Sequence, residues 1–188
     1  MDSVRIGVDI DDTITNTWDK LLPFYSAWFD VPLDKLKESS PYYEPIKDKY
    51  TIEEYFREVK PIYDNVVPYV SLRENVCDTL RKLHLLGHKI IIISARGKGY
   101  TDSYRLTRDY LRVNNVYYDK LIVDTEDKDR VCLEEKIDLF IDDSYKHCMS
   151  VKKVGVDVLM FETSYNKDRK GINRVSNWLD VYDYVENR

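Results

Sequence analysis

An apolar run beginning at Val4 breaks into three carboxylates within four positions, Val8-Asp9-Ile10-Asp11-Asp12-Thr13. Residues 4–10 lack the strict alternation of a half-exposed strand. They read as a strand buried on both faces, which places it in a parallel sheet. Charge of that density at the end of a core strand needs either solvent or a cation. Two readings follow: an acidic turn capped by Thr13, or a hard-cation site with a carboxylate nucleophile beside it.

The rest of the chain supplies further strands of the same kind. Residues 71–86 read as a helix opened by Ser71 and stopped by Gly87. Residues 88–93 carry four consecutive isoleucines and end at Ser94-Ala95-Arg96-Gly97. A helix over 102–111, a strand over 118–123 and a helix over 128–135 follow. The strand over 137–141 ends in Asp142-Asp143-Ser144, with Ser144 capping the next helix. A strand over 156–161 and a closing helix near Tyr184 complete the pattern. Residues 15–70 differ in character. Trp18, Leu21, Leu22, Tyr25 and Phe29 recur at helical spacing. Thr51 and Glu54 have the spacing of a capping box, opening a helix to about Val59 before Pro61, with a second short helix over 62–67. The expected fold is therefore α/β: a Rossmann-like parallel sheet with helices on both faces, interrupted after its first strand by a helical insert. The expected division is a core of residues 1–14 and 71–188 and a helical cap of residues 15–70.

Composition narrows the function. With 34 acidic against 29 basic residues the net charge is −5, which argues against a nucleic-acid polymer as partner. A small anion is not excluded, because a local pocket can be positive on an acidic protein. The start of the chain has no basic-then-apolar leader, and the isoleucine run is too short for a bilayer. Cys77, Cys132 and Cys148 are odd in number and lack CxxC spacing, as in a reducing compartment. A cytoplasmic protein with no membrane partner is expected. Sixteen tyrosines exceed the needs of a core, and many fall between residues 25 and 69. Helix packing and a pocket wall that stacks on a flat ligand both account for them.

In a parallel sheet the carboxyl ends of the strands lie along one edge, where ligands bind. That edge would gather Asp9, Asp11, Ser94, Ala95, Arg96, Lys128, Asp142 and Asp143. The set suits phosphoryl transfer. A phosphate monoester repels a carboxylate nucleophile, so its charge must be cancelled first. Mg²⁺ is a hard ion suited to the task, held by Asp9, the backbone carbonyl of Asp11, Asp143 and Asp142. Lys128, Ser94, Ala95 and Arg96 would bind phosphoryl oxygens. Asp9 would be the nucleophile, and Asp11 would protonate the leaving oxygen. Lys98, Lys136 and Lys146 are the rival lysines. Asp12 and Thr13 read as turn-forming, and the three histidines as non-ligands.

VDIDDT resembles the first motif of the haloacid dehalogenase (HAD) superfamily, hhDxDx[TV] with h apolar. IIIISAR resembles its second motif, Lys128 falls at its third, and LFIDDS resembles its fourth. The resemblance implies a Rossmann-like core, Mg²⁺ dependence and an aspartyl-phosphate intermediate. Asp11, two residues after Asp9, is typical of its phosphatases. Within the superfamily the chain is similar to the 5′(3′)-deoxyribonucleotidase, or type C 5′-nucleotidase, family, which shares the paired acids and the Thr125-Glu126-Asp127-Lys128 segment. The segment Ala95-Arg96-Gly97-Lys98 departs from the eukaryotic members. The resemblance implies cap aromatics against a base, with Trp18, Phe24, Tyr25, Trp28 and Tyr42 as counterparts. The expected activity is Mg²⁺-dependent release of phosphate from (deoxy)nucleoside monophosphates. The alternatives are a phosphatase for another small phosphate, such as a sugar phosphate, and a non-catalytic ligand-binding module on the same fold.

Overall fold

The computed structural model describes residues 3–38 and 41–188; Met1, Asp2, Ser39 and Ser40 lie outside the described residues. Six strands form one sheet: β1 (Arg5–Val8), β2 (Lys89–Ile93), β3 (Lys120–Ile122), β4 (Leu139–Asp142), β5 (Asp157–Phe161) and β6 (Asn173–Val175). Their order is β3-β2-β1-β4-β5-β6, and every pairing is parallel. The first strand in sequence is thus central, flanked by β2 and β4.

Alternate residues of each strand feed two apolar layers. Ile6, Val8, Ile90, Ile92, Leu139 and Ile141 face one side, against Leu80 of α4 (Val76–Leu85), Leu111 of α5 (Ser103–Val113) and Val181 of α8 (Trp178–Glu186). Ile91, Ile93, Phe140, Val158 and Met160 face the other, against Val131 of α6 (Lys128–Glu134) and Val151 of α7 (Tyr145–Lys153). Both faces being covered explains why these strands read as continuous apolar runs. Gly7 lets this second layer close on β1: a Cβ there would stand 3.0 Å from the Phe140 ring. The α/β parallel-sheet fold read from the sequence is the fold observed.

Between β1 and α4 lie α1 (Thr17–Phe29), α2 (Leu33–Glu38), a 3₁₀ turn (Glu44–Ile46), α3 (Ile52–Val66) and a second 3₁₀ turn (Val67–Tyr69). These helices bury a cluster of their own, built on Trp18, Leu21, Tyr25, Phe29, Tyr55 and Val59. Within it the hydroxyls of Tyr25, Tyr55 and Tyr63 form a closed triangle at 2.6–2.9 Å. Each phenol can donate once and accept once, so three buried hydroxyls satisfy one another. The two ends of the segment are tied together: the Asn16 N–H donates to the Ser71 carbonyl at 3.0 Å and the Arg73 N–H to that of Ile14 at 2.8 Å.

Two helix boundaries and one strand stand out against expectation. α3 runs straight through Pro61, joining two expected helices. Arg57 and Pro61 are both exposed, so solvent can serve the carbonyl that the proline leaves without its N–H. Thr51 and Glu54 do form the expected capping box. The α4 helix starts at Val76 rather than after Ser71, because residues 70–73 are used in the strap just described, including a bridge between Thr15 and Leu72. Strand β6 was not expected; only Val175 of its three residues is buried, which leaves no pattern to read. No helix among the described residues is long and apolar enough to cross a membrane, and Cys77, Cys132 and Cys148 are free thiols.

Candidate active site

Four neighbouring strand ends build the site. After β1, the Asp9 N–H still donates to the Ile141 carbonyl at 2.9 Å. The chain then turns sharply. The Ile10 carbonyl accepts from the N–H groups of Thr13, Ile14 and Thr15, and Asp12 adopts φ +60°. Asp12 also caps α1, accepting from the Trp18 N–H at 2.8 Å. Ser94 follows β2 and is buried; its hydroxyl accepts from the Arg96 N–H at 3.2 Å. Lys128 is the first residue of α6, and Asp142 ends β4. Ser144 caps α7 as expected.

Lys128 is 1% exposed and reaches two carboxylates, Asp9 Oδ1 at 2.5 Å and Asp142 Oδ2 at 2.7 Å. Asp142 Oδ1 accepts from the Ser144 N–H at 2.7 Å, and His147 Nδ1 lies 3.4 Å from Asp142 Oδ2. Across the site Arg96 grips Asp11 with two bonds, and the Thr17 hydroxyl donates to Asp11 Oδ1 at 2.7 Å. Asp143 accepts from Thr13 at 3.3 Å and from the Tyr165 hydroxyl at 2.5 Å. The Asn166 amide donates to the Asp143 carbonyl at 2.9 Å. Lys98, Lys136 and Lys146 are exposed. Ala95 lines the same cavity as the charged groups.

The charges are unevenly compensated. Burial pushes the Asp9 carboxyl up to about 7, with Lys128 pulling the other way. Burial also raises Asp143 well above the carboxylate range, reinforced by the charges of Asp142 and Asp12. Asp12 is raised to about 6, chiefly by burial. Burial works against ionisation of Asp142 as well, but Lys128 and His147 hold it down to about 2. For Asp11 burial is likewise overcome, by Arg96, so its carboxyl sits below the usual range. In His147 burial opposes the charged form, yet Asp142 and Glu126 raise it to about 9.

Asp9, Asp142 and Asp143 each offer a carboxylate oxygen, all within 4.8 Å of one another. Asp9 Oδ2 has no donor among the described residues, whereas both oxygens of Asp142 are engaged. Five carboxylates (Asp9, Asp11, Asp12, Asp142 and Asp143) face Lys128, Arg96 and His147. Hard oxygen donors in excess of local cations fit a hard divalent ion such as Mg²⁺.

Above these groups opens a cavity of about 700 Å³, bounded on its far side by the helical segment. Its aromatic wall consists of Tyr42, Tyr43, Tyr55, Phe56, Tyr63, Tyr100, Tyr145 and Tyr165. Of the expected base-stacking residues only Tyr42 lines it. Trp18 and Tyr25 are interior to the helical cluster, and Phe24 and Trp28 face solvent, 43% and 51% exposed. Helical spacing separated buried from exposed positions but could not say which belonged to the cavity. Sequence reading missed Thr17, Tyr42 as a partner of Asp12, and His147; it placed Tyr165 and Asn166 in a loop that can reach this edge but did not count them as site residues. Only Tyr165 and Asn166 carried a signal, as polar residues after a strand end of the same sheet.

A parallel sheet whose carboxyl edge gathers an Asp-x-Asp pair, a buried lysine and paired acids defines a HAD-superfamily hydrolase. The chain matches the family described as "5′ nucleotidase, deoxy (Pyrimidine), cytosolic type C protein" over residues 2–188, and it belongs to that family. A nucleotidase of Clostridium acetobutylicum is 29% identical over 189 residues, 99% of this chain and 95% of that protein. A predicted phosphatase of the same genus and species has a crystal structure that superposes with a TM-score of 0.74 at 11% identity, covering 99% of both chains. A haloacid dehalogenase-like hydrolase of Streptococcus pneumoniae gives a TM-score of 0.69 at 12% identity, over 97% of this chain and 98% of that one. At such identities the two structures speak to the fold.

Proposed function

We propose that this protein is a Mg²⁺-dependent phosphomonoesterase that releases phosphate from nucleoside monophosphates. One observation carries the reading. Asp9 faces the cavity with one oxygen held by Lys128 and the other without a protein donor, beside Asp143 and across from Asp11. Family membership and the nucleotidase relative support a nucleotide, as does an aromatic-walled cavity of about 700 Å³. Residues 1–14 and 71–188 would act as the catalytic core and residues 15–70 as its cap. The unpaired thiols suit the cytoplasm.

Asp9, Asp143 and the Asp11 carbonyl would hold Mg²⁺, with Asp142 contributing through water because both its oxygens are engaged. When bound, the ion cancels phosphoryl charge and so lets a carboxylate approach. Lys128 orients Asp9 for in-line attack. The Asp9 oxygen forms a bond to phosphorus as the ester P–O bond breaks, and Asp11 delivers its proton to the leaving oxygen. Asp11 then takes a proton from the water that hydrolyses the aspartyl-phosphate. Arg96 links these steps. The incoming phosphoryl group competes with Asp11 for the guanidinium, and Asp11 relieved of its cation rises in pKa, so it can take up from solvent the proton that it then delivers. Ser94 and the N–H of Ala95 receive the remaining phosphoryl oxygen.

The test is phosphate release from a panel of ribo- and deoxyribonucleoside monophosphates and sugar phosphates, with Mg²⁺ or EDTA, for wild type and Asp9→Asn. The expected result is Mg²⁺-dependent release concentrated on nucleotides and lost in the variant. Release concentrated on sugar phosphates overturns the substrate, and undiminished release by Asp9→Asn overturns the covalent mechanism. No release at all overturns the enzyme in favour of a binding module.

A further inference from the structure

Tyr42 precedes the first 3₁₀ turn of the helical segment, and Tyr165 stands on the loop between β5 and β6. Their hydroxyls meet at one atom. Tyr42 Oη donates to Asp12 Oδ2 at 3.0 Å, and Tyr165 Oη lies 2.9 Å from the same oxygen. Tyr165 Oη is also 2.5 Å from Asp143 Oδ2. A phenol has one proton, so Tyr165 can donate to Asp12 or to Asp143 but not to both. Asp12 Oδ1 is already served by the Trp18 N–H. With Tyr42 in place Asp12 Oδ2 has a donor as well, and the Tyr165 proton is released to Asp143. Without Tyr42, Asp12 would draw that proton back.

The backbone is arranged to make this meeting. Asp12 and Tyr42 both have left-handed φ values, +60° and +63°, which bulky residues rarely adopt. Surrounding contacts hold them there: Arg73 Nε donates to the Asp12 carbonyl at 3.0 Å, and the Tyr42 ring packs 5.3 Å from that of Trp18.

The geometry points to Tyr165 as a positioning residue for Asp143, and to Tyr42 as the group that decides where its proton goes. Seating of the helical segment and affinity for the metal are thereby one linked equilibrium. This rests on the reading of Asp143 as a metal ligand given above.

Mg²⁺ binding to the full-length protein, measured by titration calorimetry without substrate, tests it in wild type, Tyr42→Phe, Tyr165→Phe and the double variant. Partners that orient metal ligands are worth roughly 10- to 100-fold in affinity, so Tyr165→Phe should weaken Mg²⁺ binding about tenfold. Tyr42→Phe should weaken it about threefold in wild type and not at all once Tyr165 is Phe, a non-additivity that simple loss of packing does not produce. Circular dichroism and thermal unfolding in EDTA verify that each variant folds. Independent, additive effects, or unchanged affinity in Tyr42→Phe, overturn the link. A wild type that binds no Mg²⁺ overturns both the link and the metal site. Wild type that binds Mg²⁺ with the predicted coupling but releases no phosphate keeps the link and discards the phosphatase.

Discussion

Arg96 holds Asp11 by both carboxylate oxygens, with Nε 2.8 Å from Oδ2 and Nη2 2.6 Å from Oδ1. The guanidinium is itself buried, 4% exposed, with the rings of Tyr100 and Tyr110 nearby at 5.9 and 5.7 Å. A planar fork is required for this contact, and an ammonium cannot reproduce it. Replacing Arg96 by Lys should lower kcat/KM by about 10- to 100-fold, the worth of one or two charge-assisted hydrogen bonds. The loss should be equal for a nucleoside monophosphate and for p-nitrophenyl phosphate, whose leaving group needs no acid. A loss confined to the poor leaving group would leave Arg96 on Asp11 throughout the reaction.

Lys128 is the sole cation between Asp9 and Asp142 among the described residues, and all three are nearly inaccessible. Lys128→Met leaves those carboxylates facing each other and Asp143. In EDTA the variant should lose about 3–5 kcal/mol of stability, the usual cost of breaking a buried ion pair from one side. Saturating Mg²⁺ should restore part of it, because a ligand that binds only the folded state stabilises that state. Urea unfolding with and without Mg²⁺ measures both; an identical loss under the two conditions would remove the metal from this cluster.

Gly99 lies where the loop after β2 meets α3. A Cβ at this position would come 2.8 Å from two carbons of the Tyr63 ring. Tyr63 is fixed in turn by the hydroxyl triangle, so it cannot simply step aside. Gly99→Ala should cost about 1–3 kcal/mol, as overpacking usually does. Gly97→Ala should cost less: the atoms inside 3.0 Å belong to the Asp124 carboxylate, which can swing away, leaving the Asp124 Cα at 3.2 Å as the residual tight contact. Thermal unfolding of the two variants makes the comparison.

His147 gains Asp142 and Glu126 as partners on folding, and they raise it from 6.5 to about 9 despite burial. A raised folded value contributes stability fully below 6.5 and loses it as pH rises through about 9. Metal-free wild type should therefore lose on the order of 2 kcal/mol relative to His147→Gln across that interval. Urea midpoints in EDTA at about pH 6 and about pH 9.5 read the difference; parallel pH profiles would show that the imidazole stays neutral.

Strands β1, β2, β4 and β5 were legible because they are buried on both faces. Residues such as Ile90 to Ile93 leave no room for another assignment, and a parallel sheet brings their polar ends to one edge. Lys128 was distinguishable from Lys98, Lys136 and Lys146 because it falls at the third motif of the family the chain resembles, and the structure puts it between two carboxylates while the others are exposed. What resisted reading depends on loops. Tyr42 and Tyr165 reach Asp12 from segments with no periodicity, and Tyr42 does so through a backbone conformation that its residue type does not announce. Pro61 misled because its effect depends on exposure rather than identity. Arg96 showed its charge but not its partner, since a residue on one strand's exit turn pairs with a residue on another's.

The strand order also bears on how the protein comes off the ribosome. The central strand β1 is made first, yet one of its two neighbours, β4, follows more than a hundred residues later. Until residues 139–142 have emerged, that edge of β1 has no partner and Asp9 lacks Asp142 beside Lys128. Domains tend to complete as units during synthesis. A nascent chain stalled short of β4 would therefore carry the first two motifs and the third-motif lysine but lack the Asp142 and Asp143 carboxylates that cluster with Asp9 in the folded protein.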